Sequence, residues 1–160
     1  MFSHEKIDDY KNKEDFYRLL TLQIQSVLED ETDVIANMAN ISAVLFSQLK
    51  NVNWCGFYLT KGDELVLGPF QGKAACTRIK IGVGVCGTAV KEDKVQVVEN
   101  VHEFASHIAC DCDTNSEIVI PLYENGKCVG VLDIDSPIFA RFDGTDEKYL
   151  SQIAKMIYKQ

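Results

Sequence analysis

Three of the six cysteines in this chain stand in polar or glycine-punctuated segments: Cys76 in KAACTRIK, Cys86 in GVGVCGTA and Cys110 in SHIACDCDTNSEI. A thiol reacts as thiolate, so its ordinary pKa of about 8.5 must be lowered by positive charge, helix N-terminal amides or hydrogen-bond donors. Cys110 has His107 and Asp111 beside it, directly ahead of a strand, which is not the setting of a core cysteine. Cys86 is framed by Gly84 and Gly87, which let the backbone turn sharply and approach a second group, as a resolving thiol requires. Cys76 follows a connecting segment, with Lys73 and Arg78 near enough in sequence to favour a thiolate. The bland alternative for each is a small buried hydrophobe or an inert thiol. Cys55, between Trp54 and Phe57, and Cys128, heading an apolar strand, read as core packing; Cys112 stays undecided.

Carboxylates form a second constellation. Glu117 opens one apolar run, and Asp133 and Asp135 alternate at the end of the next, which directs both to one face of a sheet. A tight turn at ENGK, residues 124–127, folds these runs into an antiparallel hairpin and brings the three acids to one sheet end. Crowding raises at least one pKa, so the cluster can bind an ammonium group with its ionised members and donate a proton from a protonated one. The alternative is a set of solvated strand termini.

Other chemistries fit less well. Zinc sites favour CxxC or HxxxH spacing, whereas Cys110 and Cys112 are separated by one residue; His107, Cys110 and Cys86 are a conceivable set, but no metal is expected on these motifs. GVGVCG lacks the Lys-Ser/Thr and the βαβ context of a nucleotide loop, so it reads as a turn. A net charge of −8 opposes nucleic-acid binding. The N-terminal MFSHEKIDDYKNKED has no apolar core for export, and no apolar run approaches the roughly 18 residues of a membrane span. A cytoplasmic location is expected, where thiols stay reduced and cysteines serve as hydrophobes, ligands or transient redox groups.

The elements that must position these groups follow from periodicity. Residues 15–29 carry Phe16, Leu19, Leu20, Ile24, Val27 and Leu28 at helical steps, and a second helix runs from an Asp33 N-cap to Lys50 with Ile35, Met38, Val44, Leu45 and Leu49 on its stripe. Trp54 to Leu59 and Glu64 to Phe70 read as a hairpin through Lys61, Gly62 and Asp63. Short strands are expected at 77–81 and 95–98, a short helix at 86–91, the two longest strands at 116–123 and 128–134, and a final helix over 143–158. With 160 residues and no linker or repeat, the chain reads as a single domain over residues 1–160, an α+β fold with a central antiparallel sheet of about six strands flanked by N-terminal and C-terminal helices.

GPFQGKAACTRI, GVGVCGTA, HIACDCDTNSEIVIPL and GVLDIDSP together resemble the free methionine-(R)-sulfoxide reductases, which are GAF-domain enzymes, over most of the chain from about Trp54 to the last helix. The resemblance implies a GAF-like fold and reduction of free methionine (R)-sulfoxide without a cofactor. In that family's terms Cys110 matches the nucleophile, which is left as a sulfenic acid. Cys76 and Cys86 match resolving positions, with Cys76 ranked first, and the resulting disulfide is expected to be reduced by thioredoxin. Glu117, Asp133 and Asp135 match substrate-binding carboxylates and Trp54 the aromatic that holds the substrate methyl group. Tyr58, two strand steps on, shares the Trp54 face.

The chemistry of the residues agrees. An attacked sulfoxide needs a proton for its departing oxygen, which a raised-pKa Glu117 can supply. An acidic pocket that pairs the ammonium of a free amino acid rejects peptide-bound methionine, which lacks that charge. A noncatalytic GAF module sensing a nucleotide or small metabolite is the alternative, with a zinc-binding structural protein third. A homodimer through the apolar stripes of the terminal helices is a further expectation.

Overall fold

The computed structural model describes residues 6–105 and 112–158. His107 and Cys110 lie outside the described residues. Helices α1 (Lys13–Leu28) and α2 (Val34–Gln48) lead into strands β1 (Trp54–Lys61), β2 (Glu64–Gly72) and β3 (Arg78–Lys80). Helix α3 (Gly84–Glu92), strand β4 (Gln96–Val98), a 3₁₀ turn at Val101–Glu103, strands β5 (Ser116–Glu124) and β6 (Lys127–Ser136), and helix α4 (Gly144–Ala154) follow. The six strands form one antiparallel sheet in the order β3-β2-β1-β6-β5-β4. The α+β architecture read from the sequence is the one observed.

Turn chemistry sets the registers. Glu124 pairs with Lys127 across a two-residue loop in which Asn125 and Gly126 both have positive φ, +50° and +74°, the conformation an Asn-Gly hairpin adopts because its twist matches that of the strands. Lys61 pairs with Glu64 across Gly62 and Asp63, with Gly62 at φ +65°. The N-caps are equally local: Asn12 receives the Asp15 amide, Asp33 receives that of Ala36, and Asp143 makes a reciprocal capping box with Asp146, each cap worth about 1 kcal/mol.

Period-two alternation then divides the core in two. Cys55, Phe57, Ile118, Ile120, Leu122, Leu132 and Ile134 pack with α1, α2 and α4 on one face. Trp54, Tyr58, Val119 and Val131 turn to the other, where they meet Val85, Cys86 and Ala89 of α3. The sheet is thus covered on both faces, thickly by the terminal helices and by one short helix opposite.

Boundaries differ from the periodicity in instructive places. Helix α1 begins two residues earlier than expected because Asn12 supplies the cap, and its buried face includes Tyr17. Ile35, expected on the α2 stripe, is exposed, while Asn37 and Met38 are buried. Helix α4 stops at Ala154 and leaves 155–158 as turns. Cys55 is fully buried as expected, whereas Cys128 is half-buried and its thiol donates to the Gly130 carbonyl at 3.5 Å. Among the described residues no helix is long and apolar enough to cross a membrane.

Candidate active site

A cleft opens between α3 and the sheet face it covers, lined by Trp54 and Tyr58 of β1, Cys86 of α3, Glu117 of β5, and Asp133 and Asp135 of β6. Register explains the convergence. Trp54 stands opposite Asp135, Gly56 opposite Asp133, and Glu117 opposite Asp135, so residues two apart on three neighbouring strands share this face. Six of the eight site residues expected from sequence therefore line one cleft.

The two aromatics form a stack, Trp54 with Tyr58 at 5.9 Å between centroids and Trp54 with Phe70 at 5.3 Å. Their polar atoms are spent on the chain that bears Cys76: the Trp54 indole N–H donates to the Lys73 carbonyl at 3.1 Å, and the Tyr58 hydroxyl donates to the Cys76 carbonyl at 2.9 Å. The indole therefore offers the cleft an apolar surface, and residues 73–76 are fastened across its mouth. Lys73 also pairs with Asp113 at 2.5 Å. Phe70 and this pair of anchoring bonds were not apparent from sequence. Phe70 had a usable signal, since it faces Gly56 across the β1–β2 hairpin, where a missing side chain leaves room for a ring.

Helix α3 delivers Cys86. Gly84 opens the helix at φ +66°, and a Cβ on Gly87 would lie 2.3 Å from the Lys80 carbonyl oxygen, so only glycine lets the helix sit this close to β3. The GVGVCG run is thus a packing device as well as a turn. Cys86 is 4% exposed, and its thiol donates to Glu117 Oε1 across 3.9 Å. Burial, reinforced by the charges of Asp133 and Glu117, pushes this thiol well above the ordinary cysteine range. Cys86 is a poor thiolate in this state. Cys76 is half-buried and disulfide-bonded, whereas Cys55, Cys86, Cys112 and Cys128 are free thiols.

The carboxylates are buried together, Glu117 7% and Asp133 6% exposed. Burial raises Glu117 well above the usual carboxylate range, and the neighbouring Asp133 and Asp135 charges push it further. Burial also lifts Asp133, to about 6, while hydrogen bonds from Cys86 and Glu117 restrain the rise. Of the two, Glu117 is the one on which both burial and neighbouring charge favour the neutral form, while hydrogen bonds from Cys86 and Glu117 favour the ionised form of Asp133. One oxygen of Asp133, Oδ1, is buried without a hydrogen-bond partner among the described residues. Ligand-capable atoms of Cys86, Glu117 and Asp133 all lie within 4.8 Å of one another. A buried carboxyl with a raised pKa, a second carboxylate with an unpartnered oxygen and an aromatic wall thus face one small space.

A six-stranded antiparallel sheet with terminal helices behind it and a ligand-sized cleft under a short helix is the organisation of a GAF domain, and the family model described as GAF domain matches residues 24–159. The chain is 54% identical to the protein YtsP of Bacillus subtilis over 99% of its own length and 98% of that protein's. It is 51% identical to the free methionine-R-sulfoxide reductase of Escherichia coli over 92% of its length and 90% of that enzyme's. The crystal structure of free methionine-R-sulfoxide reductase from Neisseria meningitidis in complex with its substrate superposes with a TM-score of 0.92, at 47% identity, covering 98% of this chain and 94% of that one. The chain belongs to the GAF family and, within it, to the free methionine-R-sulfoxide reductases.

Proposed function

We propose that this protein is a thiol-dependent oxidoreductase that reduces free L-methionine (R)-sulfoxide to methionine in the cleft under α3. The observation that carries the reading is the burial of Glu117 beside Asp133, whose Oδ1 has no hydrogen-bond partner among the described residues, in a cleft walled by the Trp54 and Tyr58 rings. Membership among reductases of this name, one of them solved with its substrate, supports it.

In the proposed reaction the Cys110 thiolate attacks the sulfoxide sulfur while Glu117 protonates the oxygen that leaves it. The S–O bond breaks as the protonated oxygen passes to the Cys110 sulfur, the transient S–S bond cleaves with its electron pair going to the substrate sulfur, and methionine is released, leaving Cys110 as a sulfenic acid. A resolving thiol then attacks the sulfenic sulfur, forming a disulfide and expelling water. Cys76 is favoured over Cys86 for that step, since Cys76 is the disulfide-bonded member and Cys86 is a buried thiol held in its protonated form. Thioredoxin, acting as a dithiol in the cytoplasm, returns two electrons and two protons.

Asp133 and Asp135 receive the substrate ammonium, and Trp54 with Tyr58 packs the methyl end. Peptide-bound methionine has no ammonium to offer a buried Asp133, which is why the free amino acid is the substrate. Pairing of two copies is part of the same reading, supported by exposed Leu22 and Ile35 on the terminal helices. The test is turnover of each methionine sulfoxide epimer with thioredoxin as reductant. The (R) epimer of the free amino acid should be consumed, and Cys110→Ser should abolish this. A wild-type protein inert toward both epimers, or a fully active Cys110→Ser, overturns the reading.

A further inference from the structure

The cleft holds a donor set whose geometry reaches beyond substrate binding. Cys86 comes from α3, Glu117 from β5 and Asp133 from β6, three regular elements, so the positions of the donors are fixed by the fold. A tetrahedral zinc-like ion with bonds of about 2.3 Å to sulfur and 2.0–2.2 Å to oxygen spans donor separations of roughly 3.3–3.6 Å. The Cys86 Sγ to Glu117 Oε1 distance is 3.9 Å and every separation in the trio is within 4.8 Å. Loading an ion draws the donors together by at most about 1.5 Å.

A second, independent observation is the state of Asp133. It is 94% buried, yet its Oδ1 has no hydrogen-bond partner among the described residues. Leaving a buried carboxylate oxygen unsatisfied costs about 1–3 kcal/mol, more when the group is charged, so this one oxygen is an acceptor to which no described residue donates. Among the described residues no lysine or arginine forms an ion pair with Glu117 or Asp133. A monovalent ammonium brings one positive charge to this cluster; a divalent cation brings two and takes the thiol as thiolate, releasing its proton and that of any protonated carboxyl ligand to solvent.

We infer that Cys86, Glu117 and Asp133 form a reversible binding site for a divalent, thiol-accepting cation of the zinc class. One sulfur and two carboxylate oxygens suit zinc over magnesium or calcium, which prefer an all-oxygen shell. Three protein ligands leave the fourth position toward the cleft, the open arrangement of an exchangeable ion and not the closed shell of a structural one. The loaded ion occupies the ground on which Asp133 receives the substrate ammonium, so zinc and the sulfoxide exclude one another. That exclusion rests on the proposed function; the metal site itself does not.

The test uses the full-length reduced protein stripped of metal by chelator. Zinc is titrated in competition with a chromogenic chelator, and cobalt is used in parallel as an optical probe. One equivalent should bind, and the cobalt form should show thiolate-to-metal charge-transfer absorption. Cys86→Ser should abolish that band and weaken zinc at least about tenfold, as Asp133→Asn should weaken it too, while Cys112→Ser leaves both unchanged. Melting curves verify that each variant is folded, and Asp133→Asn preserves side-chain volume should Cys86→Ser disturb α3. Absence of a stoichiometric site, or a band that survives Cys86→Ser, overturns the inference. Sulfoxide turnover by the metal-free protein separates the two claims: turnover without zinc binding removes the metal site alone, and zinc binding without turnover removes the proposed activity alone.

Discussion

Asp146 and Asp133 are both buried carboxylates, 0% and 6% exposed, but the fold treats them in opposite ways. Asp146, in the first turn of α4, receives the Tyr17 hydroxyl at 2.6 Å, Lys13 Nζ at 2.5 Å, Arg141 Nη1 at 3.1 Å and the Asp143 amide at 2.8 Å. Two cations and two neutral donors surround it, and they tie α1 to α4 across 129 and 133 positions of sequence. Asp133 lies on the other face of the sheet with a second acid and a thiol as company, one oxygen unpartnered, and a pKa lifted to about 6 by burial. A buried acid with its cations in place is a fastening. A buried acid without them is kept in an unfavourable state, which binding of a positive ligand relieves.

Substitutions at the two sites should separate chemistry from stability. The largest change is expected from Glu117→Gln, which removes the proposed proton donor and should lower sulfoxide turnover by about 10²–10⁴-fold without lowering the melting temperature. If this variant retains full activity, Glu117 is not the donor. Asp146→Ala strands Arg141 and Lys13 and should cost about 3–5 kcal/mol in a denaturant titration, while turnover per folded molecule is preserved. A loss below 1 kcal/mol would place the α1–α4 tie among weak surface pairs.

Asp133→Asn should do the reverse. The folded protein holds the Asp133 proton up to about 6, whereas the ordinary side chain releases it at 3.8. Folding takes up a proton between those values, so this group's contribution to stability falls as pH rises through that window. Removing the charge should therefore stabilise the protein at pH 7 by something of order 3 kcal/mol, with the gain absent at pH 3.8 and below. The same titration should make kcat/KM of the wild type rise through about pH 6, as Asp133 ionises to receive the ammonium. A flat profile between pH 5 and 7 would detach Asp133 from substrate binding. The smallest effect is expected for Tyr17→Phe, which deprives Asp146 of one donor among four and should cost about 1–3 kcal/mol in the same denaturant measurement.

The two sites also differ in how far the sequence displayed them. Glu117, Asp133 and Asp135 were legible because strand alternation and the Asn-Gly turn together dictate which side chains meet, and both signals are local. Trp54 was singled out by the family resemblance, and Tyr58 followed from it by the same period of two. The Lys13, Tyr17, Arg141 and Asp146 cluster left no such trace: its members come from opposite ends of the chain, and each reads locally as an ordinary helix-terminal or surface residue. The glycines of GVGVCG were visible, but the 2.3 Å approach that Gly87 permits to the Lys80 carbonyl depends on tertiary packing. Cys110 lies outside the described residues, and its role as nucleophile is what the family resemblance implies and what the turnover assay tests.

Trp54 is the chain's one tryptophan, and its indole nitrogen is tethered to the backbone of Lys73, three residues before the disulfide-bonded Cys76. The protein therefore carries a built-in optical gauge with no second indole to compete when excitation selects tryptophan over the six tyrosines. Cleavage of the Cys76 disulfide alters the surroundings of that single fluorophore, and so does any molecule that settles against its ring. Emission from unlabelled protein can accordingly follow each oxidation and reduction in real time.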